Sequence, residues 1–249
     1  MKVLIGFFAA LIVGLTGVGG GSFTTPALIL LAGTSGGEAV GTALVFATVI
    51  RLVAAPFYVL GQRIHVRYLL IMLLGAIPGL LAGTYLLREA TTRASTPWVL
   101  LILGAMLVSG AVLTAWPRRT PMMGGSFHRR SGWLAWLALP LGVETGFSSA
   151  GAGALGSLLL FNFTPLSPAQ IVGTDMVFGT ALTSLGAVFH FSFGTVSGST
   201  LESLLTGGIP GVLIGCLLAP RLPAHLLRKM VLALTGLLGL QLLLMGTRW

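Results

Sequence analysis

Four ionisable side chains fall where ionisable side chains are expensive. Arg51, Glu144, Asp175 and His190 each interrupt a run of apolar residues, in a chain that is 55% hydrophobic and 8% charged. Arg51 is the only one of 14 Lys and Arg residues set well inside such a run, about 12 residues past Ala39. A cation inside lipid costs about 2.5–3.5 kcal/mol on insertion scales, so it must face an interior cavity or a partner. A guanidinium so placed can hold two oxygens of one anion at once. The plain alternative is a buried ion pair with Asp175 or Glu144. Buried carboxylates and imidazoles can also relay protons, which makes Asp175, Glu144 and His190 a proton-coupling set, with charge balance and helix capping as the competing roles.

Two glycine clusters supply the other half of the chemistry: Gly17-Val18-Gly19-Gly20-Gly21-Ser22 and Ser148-Ser149-Ala150-Gly151-Ala152-Gly153. Each interior glycine costs a helix about 1 kcal/mol relative to alanine, so a helix does not pass cheaply through either cluster. A helix broken inside a membrane presents bare N–H groups and the positive end of its dipole. Such backbone is tolerated only when buried or lining a cavity. Hydroxyls gather beside the breaks, at Thr16, Ser22, Thr24, Thr25, Ser148 and Ser149. Donors without nearby acids suit an anion. The expected binding set is Gly19, Gly20, Gly21, Thr42, Arg51, Gly151, Gly153 and Thr174, against the alternative that the glycines only pack.

The elements that must position these groups are membrane helices. A soluble domain carries about 25% charged residues, far above the fraction here. The mean hydropathy is +0.99 and glycine makes up 36 of 249 residues. About eight apolar segments follow one another: Val3–Ala32, Ala39–Leu60, Tyr68–Leu87, Trp98–Trp116, Trp133–Phe163, Ile171–Phe193, Leu204–Ala219 and Met230–Met245. Most match the roughly 20 residues a spanning helix needs. The first and fifth are longer and carry the glycine clusters, so they are read as broken spans or re-entrant hairpins. The net charge of +9 sits mostly between apolar runs, as the positive-inside bias requires, so lipid rather than nucleic acid is the expected partner. The single cysteine, Cys216, excludes a disulfide framework and a cysteine zinc site. No G-x-x-x-x-G-K-[ST] or H-E-x-x-H pattern occurs, and no cofactor is expected.

The chain matches itself at an offset of 132 residues without a gap from Gly14 to Gly83. Gly41-Thr42 falls on Gly173-Thr174, and Ile77-Pro78-Gly79 on Ile209-Pro210-Gly211. The reading is an all-α polytopic membrane protein of two homologous halves, each of about four apolar segments. Residues 1–117 form the first repeat, 118–132 a basic connecting loop, and 133–249 the second repeat. Gly75-xxx-Gly79-xxx-Gly83 and its copy Gly207-xxx-Gly211-xxx-Gly215 put a glycine stripe on one face of a helix, the signature of a close helix–helix seam. The loop holding Arg63 and Arg67 corresponds to Thr195–Ser199, which has no basic residue. Equivalent loops of opposite charge character favour an inverted pair of repeats.

Gly17-Val18-Gly19-Gly20-Gly21 followed by Pro26, then Ala39-Val40-Gly41-Thr42, resembles the TauE/SafE family of sulfite and organosulfonate exporters, and the likeness extends over nearly the whole chain. The second half departs from the motif, with Gly151-Ala152-Gly153 in place of a triple glycine and Leu158 in place of the proline. The resemblance implies a secondary transporter in the cytoplasmic membrane of a bacterium, exporting a small sulfur oxyanion or sulfonate. Self-association is left open. Transport would proceed by alternating access, one half moving against the other. A passive anion channel would use the same residues. The readings from other classes are an intramembrane serine hydrolase, built on Ser148 or Ser149 with His190, and a non-transporting scaffold.

Overall fold

The computed structural model describes residues 1–17, 21–59, 64–93, 96–115, 132–149, 154–193, 195–221 and 224–247. The expected basic connector, apart from Gly132, lies outside them, as do Gly19, Gly20, Gly151 and Gly153. The described residues are all helical or in short connections. In chain order the helices are α1 (Lys2–Thr16), α2 (Gly21–Ala32), α3 (Gly36–Val59), α4 (Val66–Arg93), α5 (Thr96–Ala115), α6 (Gly132–Ser148), α7 (Ala154–Phe163), α8 (Pro168–Ser192), α9 (Gly198–Leu218) and α10 (Ala224–Gly246). The first and fifth apolar segments are each split in two, α1 from α2 and α6 from α7, at the glycine clusters.

Among the described residues, four helices are long and apolar enough to cross a membrane, over 36–59, 66–92, 170–192 and 198–218. They are α3, α4, α8 and α9. Several of their hydroxyls are satisfied within the helix: Thr48, Thr84, Thr180 and Thr183 each donate to a carbonyl four residues earlier, which lets polar side chains sit in apolar spans. At the start of α8, Ser167 and Gln170 form a reciprocal capping box around Pro168, which fixes where this helix begins.

The glycine stripes are seams, and each joins helices from different halves. A Cβ on Gly75, Gly79 or Gly83 of α4 would overlap the carbonyl oxygens of Ala135, Leu139 and Val143 of α6 in turn. A Cβ on Gly207, Gly211 or Gly215 of α9 would do the same to Val3, Phe7 and Leu11 of α1. Because residue numbers rise together along both seams, α4 runs parallel to α6 and α9 parallel to α1. The seams are two-sided, since Gly142 and Gly146 of α6 lie against Ala76 and Leu80, and Gly6 and Gly14 of α1 against Leu204 and Val212.

The central pair α3 and α8 runs the other way. Gly41 near the start of α3 meets Thr195 just past the end of α8, and Thr174 near the start of α8 bonds His65 just past α3. The two helices are therefore antiparallel. Leu44 of α3 packs at Gly186 of α8, while Phe46 and Ile50 of α3 face Gly208 of α9, and all three side chains are fully buried.

Candidate functional site

Arg51 projects from α3 into the interior and is 0% exposed, the largest fully buried side chain among the described residues. It interacts electrostatically with Asp175 of α8, which is also buried. The antiparallel pairing of α3 with α8 brings these two together from positions 124 residues apart in sequence. Asp175 in turn leans on the start of α7. Its Oδ2 accepts a hydrogen bond from Ser157, while Oδ1 finds no hydrogen-bond partner among the described residues. Gly156 makes the space, because a Cβ there would overlap Asp175 Oδ1. A carboxylate near the first turn of a helix also meets the favourable end of its dipole.

The corresponding place in the first half holds no acid. Shifted by 132 residues, Asp175 falls on Ala43, Ser157 on Thr25 and Gly156 on Thr24. Thr24 and Thr25 are fully buried and Ser22 nearly so. Gly21 opens α2 with its backbone packed directly against that of Ser149, at the end of α6. The first-half break thus offers buried hydroxyls where the second half has a carboxylate.

Thr42 and Thr174, both in the expected binding set, each accept a backbone N–H from a connecting segment. Thr42 Oγ1 accepts from the backbone N–H of Ser197 at 3.1 Å, and Thr174 Oγ1 from that of His65 at 3.0 Å. Each repeated Gly-Thr pair thereby docks the connection entering α9 or α4, and Gly41 gives Thr195 room to approach. Thr42→Val and Thr174→Val are each expected to cost about 1–3 kcal/mol of stability, because a buried donor loses its acceptor. Thermal unfolding in detergent reads this, and the KM for the transported anion should stay put. An unchanged midpoint with a raised KM would return the hydroxyls to the binding set.

A second matched pair lies at the helix breaks. Tyr58 of α3 donates its hydroxyl to the Gly14 carbonyl at 2.6 Å. At the equivalent position of α8, His190 Nε2 lies 3.2 Å from the Gly146 carbonyl. These carbonyls belong to the last turns of α1 and α6, where the intrahelical ladder runs out. His190 Nδ1 is 3.0 Å from Thr195 Oγ1. Both ring nitrogens are therefore engaged. Ser148 donates to the Glu144 carbonyl and Ser149 to the Gly21 carbonyl. Glu144 is buried on α6, one turn before Ser148.

The structure thus brings Arg51 and Asp175 together on α3 and α8, sets Gly21 against Ser149 at the α6 break, and ties His190 to the carbonyl of Gly146. Sequence reasoning missed Ser157, Gly156, Tyr58 and Thr195. For Tyr58 a signal existed, since it is the residue that falls on His190 at the offset of the self-match.

The family described as Sulfite exporter TauE/SafE matches residues 2–242. A curated relative, the probable membrane transporter protein YjnA of Bacillus subtilis (strain 168), is 28% identical over 252 residues, which cover 97% of this chain and 98% of the relative. No solved structure matches the chain.

Proposed function

Because the chain belongs to the sulfite exporter TauE/SafE family and its curated relative is described as a probable membrane transporter, we propose that it exports a small sulfur-containing anion, sulfite or an organosulfonate, across a bacterial cytoplasmic membrane by alternating access. The observation that carries the anion is Arg51, a guanidinium with no exposed surface on an apolar helix of 24 residues. Burying it is costly, and an anion with two or more oxygens is what its planar fork of donors matches. The buried hydroxyls of the first-half break, Ser22, Thr24 and Thr25, are neutral donors of the kind an anion also uses. The carboxylate of Asp175 offsets the charge of Arg51 electrostatically while the anion is absent.

Two inverted halves suit this mechanism, and the antiparallel seating of α3 on α8 supports them. The moving bodies, however, are not residues 1–117 against 133–249. Backbone seams tie α1 to α9 and α4 to α6, so a motion that separated the sequence halves would tear both. The bodies that rock are the cross-half groups built on those seams.

Proton coupling is assigned to Asp175, with Glu144 and His190 as further members. Asp175 Oδ1 has room for a proton, being unbonded among the described residues. At His190 a proton count supports the same role. Thr195 Oγ1 lies 2.9 Å from the His190 carbonyl and 3.0 Å from Nδ1, and its one hydroxyl proton serves only one of them. With Nε2–H given to Gly146, all three contacts are satisfied at once only when the ring carries both protons.

The test is sulfite flux into proteoliposomes, with sulfate, thiosulfate and chloride as competitors and with or without a pH gradient. Saturable flux, accelerated by the gradient in wild type and indifferent to it in Asp175→Asn, is the expected result. Flux that rises linearly with sulfite and ignores the gradient would identify a passive anion channel instead.

A further inference from the structure

The break after α6 is closed by a serine in a glycine's backbone conformation. Ser149 has φ 64°, and its equivalent in the first half, Gly17, has φ 68°. A side chain in this region is crowded against its own backbone, which is why glycine ordinarily ends a helix so. Here the chain carries a hydroxyl at a position that glycine would occupy with less strain. Both hydrogen bonds the hydroxyl makes reach the other half of the chain. Ser149 Oγ donates to the Gly21 carbonyl at 3.2 Å and lies 2.6 Å from Thr25 Oγ1, whose proton it accepts. Ser149 is 3% exposed and Thr25 not at all.

The contact also sits at a particular place in the helix arrangement. Ser149 follows α6, which is fixed to α4 by one glycine seam. Gly21 and Thr25 belong to α2, tethered through the first break to α1, which is fixed to α9 by the other seam. The hydroxyl pair therefore joins two bodies instead of bracing one. Hydrogen bonds between neutral hydroxyls exchange readily for others of similar strength, whereas the backbone seams on either side hold by close packing along their whole length.

We propose that Ser149, Thr25 and Gly21 form a latch between these bodies, closed in the conformation described here and opened once in each transport cycle. Ser149 is then a positioning residue that governs how fast the cycle turns. The proposal rests on the transport reading above. Opening the latch frees two hydroxyls beside the first-half break, where the anion would meet them.

The experiment uses Thr25→Cys and Ser149→Cys together, in a Cys216→Ala background, in proteoliposomes that show sulfite flux with the wild-type chain. Diamide takes two electrons and two protons from the paired thiols and leaves a disulfide between the bodies. Flux is expected to fall in proportion to the cross-linked fraction and to return on reduction with dithiothreitol. Full flux from a fully cross-linked sample would overturn the latch. A second measurement needs no transported anion and decides the matter if the double variant fails to fold or the wild type moves no sulfite. N-ethylmaleimide should label Thr25→Cys alone in the folded protein, and at least about threefold faster when Ser149→Gly is added, because removing one partner of a hydrogen bond favours the open state. Labelling that occurs only after denaturation, or at one rate in both variants, would show that the contact stays shut. Wild type without sulfite flux but with this labelling pattern would discard the substrate and keep the latch.

Discussion

Arg51→Ala is expected to reduce sulfite flux to the leak of protein-free liposomes. Two charge-assisted hydrogen bonds to an anion contribute about 3 kcal/mol or more together, so the loss in kcat/KM is about 100-fold at least. Arg51→Lys keeps the charge and loses the planar fork, and it should fall between the two, with the larger change in KM. The obvious complication is folding, since removing one member of a buried charged set leaves Asp175 facing the interior alone. Arg51→Ala combined with Asp175→Asn removes that burden. If the double variant folds with wild-type yield and still moves no sulfite, the guanidinium acts on the anion. If it transports normally, Arg51 serves only to balance Asp175, and the binding site lies elsewhere.

The second large effect belongs to the seams. Gly79→Val is expected to abolish the folded protein, and Gly211→Val to do the same. A side chain at either position runs into backbone, the carbonyl of Leu139 in one case and of Phe7 in the other. Backbone cannot swing aside as a flexible side chain can, so the whole helix must be displaced along its length. The penalty is expected to exceed the roughly 1–3 kcal/mol typical of an overpacked core. Fluorescence-detected size exclusion of the detergent-solubilised protein measures the folded fraction. Gly198→Ala is the control, because a Cβ there meets nothing within 4 Å. A Gly79→Val protein that elutes like this control would mean that the seam is looser than described.

The parts of this fold that were legible from sequence are those written in local composition. Glycine runs at 17–21 and 151–153 mark where helices cannot continue, and two helix pairs do separate there. The stripe of Gly75, Gly79 and Gly83 announces close backbone approach, and it makes one. The isolated charge of Arg51 inside an apolar run could only be interior, and it is. What composition does not carry is the identity of partners. Nothing in the stripe says that α4 lies on α6 rather than on its copy α9, because both helices present the same glycine face. Thr42 and Thr174 are expected in the binding set as members of the repeated Gly-Thr pairs, and each hydroxyl also receives an N–H from the opposite half. Such a contact joins residues 155 or 109 positions apart, and the only trace it leaves in one sequence is the repetition itself. Ser149 was hidden for the opposite reason. In the sequence it stands as one hydroxyl among several and a candidate nucleophile, whereas the informative comparison is with Gly17, its counterpart at the offset of 132 residues.

The pairing of α1 with α9 and of α4 with α6 also sets an order of events during synthesis. When the ribosome has finished the first half, α4 is complete and its glycine face has nothing to rest on. That face is covered only after residue 143 has entered the membrane, and α1 waits longer still, until residue 215. For most of its production the chain is a set of inserted helices without their permanent neighbours. The growing protein must be shielded from foreign helices over that interval, and its last third determines whether the first third ever acquires a stable place.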